Sequence, residues 1–527
     1  MIAGVAGPAP AWADATLTAF ARARAAEGDG AVVVAARGYG EALDAEPGNA
    51  VIAGRAYREA LDAGDYILAF RAAQALQAAG AAPADAGLLF AAEGMRKHDA
   101  AQLRIGTALM AKGPFAVLVP SVEAWAALDA GRDPFAVLAR AKGNPLADRY
   151  GVQTRALLLI AAGRTAEGMA AVQTALRADA GEPDLRQAAA QLLAGRGEMD
   201  LARTLLDGDD PVVERLRESL ADGGVRASGS FGLSRLFTRL AADIAGGNTG
   251  PFAVALTRAA LLAEPANDRA RILLAQALAK EDVTDQALAV LAEVPASSPF
   301  RALAEEAQIA VLRHAGERAR ALVWAKSRAE GKGAPADDLA RYGDLLVEAG
   351  RFDEAAKAYR AAIKRSPADG GWTRWLQLGG ALEQGGDWKR GEEALLHALA
   401  LAPQEPVVLN YLGYARLEHG GDPAAALAML EQASRLRPGD PSITDSLAWA
   451  YYRRGDAARA VPLLEQAARG EPENATIAEH LGDAYWSLGR RFEARYAWRA
   501  ARSVAEAPDL QRLADKIADG LPKSRRR

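Results

Sequence analysis

Five histidines, His98, His314, His397, His419 and His480, are the side chains best suited to proton transfer or metal binding. None has a partner three or four residues away, the spacing that sets two imidazoles on one helical face around a metal ion. They read as surface or capping side chains. Cysteine is absent, which removes thiol catalysis, disulfides, Cys-ligated zinc and iron–sulfur clusters together. No phosphate-binding loop, H-E-x-x-H helix or G-x-S-x-G elbow occurs. Arg37-Gly38-Tyr39-Gly40 lacks the third glycine of a dinucleotide fingerprint and reads as a turn between helices. With 67 Asp and Glu residues, chance carboxylate pairs are expected. The chain reads as non-enzymatic, with no cofactor and no metal; a carboxylate site hidden in the irregular N-terminal half is the weakest alternative. What the residue types do support is recognition. Tyr414, Trp449, Tyr452 and Trp486 recur near Asn410, Asp445, Glu479 and Asp483. Stiff amphipathic rings anchor binding hot spots, and carboxylates beside them suit a partner with exposed Lys or Arg, or a free amino terminus.

The elements that would position these side chains form a repeat. Gly343, Gly379, Gly413, Ala448 and Gly482 occupy one setting, at steps of 36, 34, 35 and 34 residues. Each follows a bulky residue in a first helix: Tyr342, Leu378, Leu412, Leu447 and Leu481. A turn glycine comes next, at 350, 386, 420, 455 and 489, then a second helix with a small–large–small stripe. Ala355/Tyr359/Ala362, Ala426/Leu430/Ala433, Ala460/Leu464/Ala467 and Ala494/Trp498/Ala501 are the clearest stripes. Pro367, Pro403, Pro438 and Pro472 close the units. Spacings of three and four put each stripe on one face, and small residues opposite large ones let paired helices approach closely. Glycine accepts the left-handed conformation after a helix end, and proline stops one continuous helix from forming. Such pairs must stack on one another to bury their apolar faces.

These residues resemble the tetratricopeptide repeat. The resemblance implies an all-α fold, a right-handed superhelical solenoid of antiparallel helix pairs whose first helices line the concave side. The inward positions are then Asn410, Tyr411, Tyr414, Leu417 and Glu418; Asp445, Ser446, Trp449, Tyr452 and Arg453; and Glu479, His480, Asp483, Trp486 and Ser487. Trp498 falls at a core position of its second helix. One subtype of the family clamps peptide C-terminal carboxylates with Lys, Asn and Arg. Asn410 matches one such position, but Asp, Glu and aromatic residues hold the others, so the clamp is not expected.

Upstream the repeat is degenerate. Gly163, Gly168 and Val172 align with Gly197, Ala202 and Leu206, each 34 residues on. Gly64 with Ala69, Gly131, and Leu274-Ala275 with Ala287 and Leu291 mark further units. The expected layout is a leader at 1–13, degenerate repeats over 14–222, irregular helical repeats over 223–336, a regular array over 337–504 and a capping helix with a basic tail over 505–527. In the capping helix Pro508 opens a face of Leu510, Leu513 and Ile517, and Lys523 to Arg527 read as a solvated end.

Composition limits the setting. In 527 residues, 50% hydrophobic and 6% aromatic, 63 basic groups face 67 acidic ones, a net charge of -4. No basic field is present for nucleic acid, and no uninterrupted apolar run of about 18 residues is present to span a bilayer. Ala11-Trp12-Ala13 before Asp14 has the form of a signal-peptidase site, although Pro8 and Pro10 interrupt the apolar stretch and no charged region precedes it. Residues 1–13 read either as the end of a signal peptide, giving a periplasmic protein, or as an unstructured leader on a cytoplasmic one. The segments 119–132, 155–169, 287–295, 444–455 and 478–494 also resemble a group of proteobacterial repeat proteins. That group includes an outer-membrane lipoprotein adaptor of a periplasmic carboxyl-terminal processing protease, which brings cell-wall hydrolases to the enzyme. The resemblance implies a protein-binding scaffold with an envelope protease and its substrates as partners, but no cysteine here can take a lipid. The alternative is a cytoplasmic assembly factor or co-chaperone.

Overall fold

The computed structural model describes residues 11–139, 145–178, 183–208, 211–220, 223–247, 249–367, 371–505 and 507–521. Helices account for the ordered elements and no strand occurs among these residues. The fold is an all-α solenoid, as expected. Residues 1–10 of the leader and the tail 523–527 lie outside the described residues; Ala11 begins the first helix, Ala11–Gly28. The chain divides into two compact units between Glu317 and Arg318.

In the second unit each repeat is a helix pair: Ala336–Glu348 with Phe352–Arg365, Gly371–Gln384 with Trp388–Leu401, Pro406–Glu418 with Pro423–Leu436, Pro441–Arg453 with Ala457–Gly470, and Ala475–Ser487 with Arg491–Val504. The local sequence explains the ends. Side chains of Asp387, Glu405, Asp422, Asp440, Asp456 and Asn474 accept hydrogen bonds from backbone N–H groups of the first helical turn, satisfying donors that the helix leaves open. All five turn glycines have left-handed backbone, with φ between 70° and 86°. The closing prolines all fall in turns or bends.

Small-against-large packing is as the stripe implies. A Cβ on Gly343 would lie 2.6 Å from the Tyr359 ring, one on Gly379 2.6 Å from Leu395, and one on Gly482 2.4 Å from Trp498. Trp498 is fully buried and donates Nε1–H to Asp483 at 2.8 Å. A final helix, Ala507–Asp519, packs on the last pair. Its inner face differs from expectation: Leu513 is buried and Ile517 half-buried, whereas Leu510 is 39% exposed.

The first unit departs from a simple stack. Three helix hairpins lead from Ala11–Gly28 to Ala100–Met110, with turn glycines such as Gly64 left-handed as expected. An excursion of helices of uneven length, from five residues in Pro134–Leu138 to seventeen in Pro145–Ala161, covers Val119–Asp129 to Pro211–Ser219. The chain then returns: Gly229–Ile244 and Gly250–Ala263 pack against Ala86–Arg96, more than a hundred residues earlier. Ten of the eleven residues of Ala86–Arg96 are buried, as its first two turns, apolar on every side, require. Arg258, 5% exposed, fixes the return by donating to the Leu61 and Asp62 carbonyls at 2.7 and 2.9 Å, at the C-terminal end of Ala50–Ala63. A cation there satisfies open carbonyls and complements the helix dipole. Gly229 N–H donates to Asp129 at 2.7 Å, and Gly232 lets helix Gly229–Ile244 lie directly against the Trp125 ring. The linear array of neighbour-only contacts implied by the sequence therefore holds in the second unit but not here.

Candidate functional site

The predicted groove residues sit on three consecutive first helices of the second unit, and the structure links those helices by side-chain contacts about one repeat apart. His480 Nδ1 lies 3.0 Å from Asp445 Oδ1. Arg453 Nη1 donates to Glu418 Oε1 at 2.8 Å, and the Trp449 indole donates to that same oxygen at 2.8 Å. Ser487 reaches the Tyr452 hydroxyl at 3.4 Å. One repeat earlier His419 Nε2 lies 2.9 Å from Glu383, which also accepts from Tyr411 at 3.2 Å.

Trp449 is the centre of the cluster. Its ring stacks on His480, with centroids 3.9 Å apart and planes 14° apart, and on Tyr452 at 4.8 Å and 20°. Tyr414 and Tyr452 are half-buried, as is Trp449. Burial, then the charges of Glu418 and Asp445, push the Tyr414 hydroxyl well above its ordinary pKa, so it stays a neutral donor. Asn410 is half-buried, and its Oδ1 is enclosed without a hydrogen-bond partner.

The last repeat is arranged differently. Glu479 and Asp483 are buried, and the chain's own final helix supplies their counter-charges. Lys516 Nζ lies 2.5 Å from Glu479 and 2.7 Å from Asp483, and Arg512 also pairs with Glu479. Trp486 rests against Gly520, with the Arg491 guanidinium 3.7 Å from its ring centroid. The structure therefore brings Asn410, Tyr414, Asp445, Trp449 and Tyr452 together as one half-open face. Glu479, Asp483 and Trp486 belong to the seat of the terminal helix. The carboxylates expected to await a basic partner are already paired: Asp445 with His480, Glu479 and Asp483 with Lys516.

Sequence reasoning missed two features. His480 is 7% exposed and is a core element of the cluster, not a surface or capping side chain. Arg512 and Lys516 were not singled out, although their four-residue spacing on an amphipathic helix was a signal. Each histidine of this unit also packs on an indole: His397 on Trp375 at 4.0 Å, His419 on Trp388 at 4.5 Å and His480 on Trp449. No group of three metal-ligating side chains occurs among the described residues. No helix among them is long and apolar enough to cross a membrane.

In the first unit, burial pushes the Glu59 carboxyl up to about 7, helped by the neighbouring charge of Asp62, and pushes Asp62 up to about 6. Glu59 Oε2 has no hydrogen-bond partner. A separate cavity of 40 Å³ is lined by Trp125, Tyr150, Gln187 and Arg269, among others. That volume holds a few water molecules. Ion pairs surround it: Arg269 with Asp184 at 3.2 Å, Arg235 with Glu264 at 3.2 Å and Arg239 with Asp243 at 3.0 Å.

Helix pairs with glycine turns, small-against-large packing and a ladder of contacts between first helices define a repeat solenoid. Residues 342–406 and 446–510 match the family model of the tetratricopeptide repeat, a motif that generally mediates contacts between proteins. The TPR repeat-containing protein PA4667 of Pseudomonas aeruginosa is 28% identical in an alignment of length 152 that covers 22% of this chain and 25% of that protein. The chain thus matches about a quarter of that relative's length. Among solved structures, the thermophilic TPR protein TTC0263 of Thermus thermophilus is 24% identical, covering 35% of this chain and 98% of that one, with a TM-score of 0.31. The MamA protein is 22% identical, covering 36% and 96%, with a TM-score of 0.26.

Proposed function

We propose that this protein is a non-enzymatic scaffold that captures partner proteins on the concave face of its C-terminal repeats. The observation that carries the reading is the half-open cluster of Tyr414, Trp449 and Tyr452 around Asp445, on adjacent first helices. Rings that keep part of their surface exposed while stacked and hydrogen-bonded are pre-organised anchors, so little side-chain freedom is lost on binding. The seat of the terminal helix is an internal example of the chemistry. There a helix bearing Arg512, Leu513 and Lys516 lies on the carboxylates of a first helix. A partner helix or extended segment carrying basic residues beside an apolar one fits the neighbouring face, its cations competing with Arg453 for Glu418.

The finer reading is an adaptor in the bacterial periplasm that delivers substrates to an envelope protease or a cell-wall assembly machine. The Ala11-Trp12-Ala13 sequence before Asp14 and the resemblance of the segments quoted above support it. Affinity capture of the tagged protein with identification of bound proteins tests both levels. Trp449→Ala with Tyr452→Ala should lose the captured partner by tenfold or more, the order expected of a hot-spot pair, with helical content unchanged. Undiminished capture by that variant would place the contact elsewhere. Capture of cytosolic assembly partners in place of envelope proteins would remove the adaptor reading and leave the scaffold.

A further inference from the structure

The second helix of the last repeat, Arg491–Val504, carries a surface that the two preceding repeats lack. Its inner stripe, Ala494, Trp498 and Ala501, is buried in the core. Its outer stripe is aromatic: Phe492 is 78% exposed and Tyr496, one turn on, is 70% exposed. Leu488, in the preceding turn, is 44% exposed on the approach to this stripe. At the same register the two preceding repeats hold Ala458 and Pro462, then Ala424 and Ala428. The rings are therefore not a requirement of the repeat.

Charge is concentrated around them. Residues 490–527 hold eleven Lys and Arg against five Asp and Glu, in a chain whose net charge is -4. Several of these cations have structural work: Arg490 pairs with Glu493, Arg495 donates to the Ile517 carbonyl, and Arg512 and Lys516 seat the final helix. Arg499 and Arg502 do not; both are exposed and make no ion pair among the described residues. Arg499 follows Tyr496 by three residues and Arg502 follows Arg499 by three, so guanidinium groups continue the aromatic stripe along the helix.

We propose that this outer face docks on an anionic phospholipid surface. Phe492 and Tyr496 enter the boundary between headgroups and acyl chains, as amphipathic and aromatic side chains do. Arg499 and Arg502 engage lipid phosphates through their planar donor forks. Lys523 and Arg525 to Arg527 add positive charge to the same end of the sequence. The rings and the cations are both needed: the apolar area alone would not discriminate between lipids, and the cations alone would be screened. The proposal is independent of the concave face, since these side chains point away from the core stripe that carries Trp498.

The test is flotation of the full chain with phosphatidylcholine vesicles and with mixed phosphatidylcholine–phosphatidylglycerol vesicles. The expected result is partition onto the phosphatidylglycerol vesicles that weakens as salt shortens the screening length from about 10 Å at 0.1 M to about 3 Å at 1 M. Arg499→Gln and Arg502→Gln should each lower partition about fivefold at low salt. Phe492→Ala with Tyr496→Ala should lower it roughly tenfold at any salt concentration. All four side chains are exposed, so circular dichroism and melting should not change. Equal partition onto both vesicle types, or none, overturns the proposal. So does loss of binding on removing residues 523–527 alone while the helix variants bind normally. A wild-type dimer that the Phe492→Ala, Tyr496→Ala variant converts to monomer would assign the face to a second copy of the chain instead. A Trp449→Ala, Tyr452→Ala variant should float normally, which keeps failure of this proposal separate from failure of the groove.

Discussion

Gly482→Ala tests the packing that sets the spacing of the last repeat. The added Cβ would stand 2.4 Å from the Trp498 ring, where contacts of 3.4–4 Å are ordinary. Trp498 has nowhere to retreat, because it is fully buried and its indole is held by Asp483. Overpacking of this kind costs about 1–3 kcal/mol. Replacing glycine by alanine inside a helix returns about 1 kcal/mol through backbone entropy. With a ring contact this short the clash falls at the upper end of that range and outweighs the gain, leaving a net loss of up to about 2 kcal/mol. For a unit of this size, at about 2–4 °C per kcal/mol, that lowers the melting temperature by up to roughly 4–8 °C. Gly151→Ala, within Pro145–Ala161, is the control: nothing lies within 4 Å of its Cβ, so it should stabilise by about 0.5–1 kcal/mol. Calorimetry that resolves the two units reads both effects. A third variant isolates the cause. Ala448 with Leu464 holds the same register one repeat earlier, so Gly482→Ala with Trp498→Leu reproduces a pairing the chain already uses. The double variant should be more stable than the sum of its singles by about 1 kcal/mol. Additive singles, or a Gly482→Ala chain that melts higher like Gly151→Ala, would refute the account of small-against-large packing.

Other outcomes follow from buried charge. Burial raises the Glu59 carboxyl to about 7, so the folded first unit holds its proton more tightly than the unfolded chain does. The stability this contributes is complete below the unfolded value near 4.5 and is lost as pH rises through about 7, a loss of about 1–2 kcal/mol once solvent screening is allowed for. Glu59→Gln should flatten that part of the pH–stability curve; an unchanged slope would assign it to other groups. Lys516→Ala leaves Glu479 and Asp483 buried without their shared cation, at a cost of about 2–3 kcal/mol, and should release the final helix. Faster proteolysis after residue 505 and a change in Trp486 fluorescence would report the release. Arg258→Met should cost about 2–3 kcal/mol by leaving the Leu61 and Asp62 carbonyls open, with hydrogen exchange accelerating first at the end of Ala50–Ala63.

The parts of this fold that the sequence makes legible are those repeated at short range. Gly350, Gly386, Gly420, Gly455 and Gly489 each signal a left-handed helix end by themselves, and Gly482 opposite Trp498 is readable once the register is known. The return of Gly250–Ala263 to Ala50–Ala63 is not readable in that way, because Arg258 and Leu61 are 197 residues apart and nothing local names the partner. One hint was present: the first seven residues of AGLLFAAEGMR are all apolar or glycine, two turns with no polar side chain, which a helix in a plain two-sided stack would keep. At the groove, register placed Asn410, Tyr414, Asp445, Trp449 and Tyr452 on adjacent first helices, yet gave no account of which groups would satisfy one another. Charge pairing depends on rotamers and on the neighbouring repeat, so a row of carboxylates looked open when His480, Lys516 and Arg453 had already closed it.

That closure makes the repeats of the second unit non-interchangeable. Each first helix offers acceptors to the next one and draws donors from it, and the residue types differ at every step: His419 to Glu383, Arg453 to Glu418, His480 to Asp445, Lys516 to Glu479. A chain lacking residues 441–474 would keep its helices, turns and apolar stripes. In register, however, Glu418 would then meet Asp483 and Ser487 where it now meets Trp449 and Arg453. A carboxylate would lose both donors and face a like charge. The array therefore has a fixed order of parts, and insertion, deletion or exchange of single units, which a uniform solenoid tolerates, would here leave the backbone period intact and the polar grammar between its units broken.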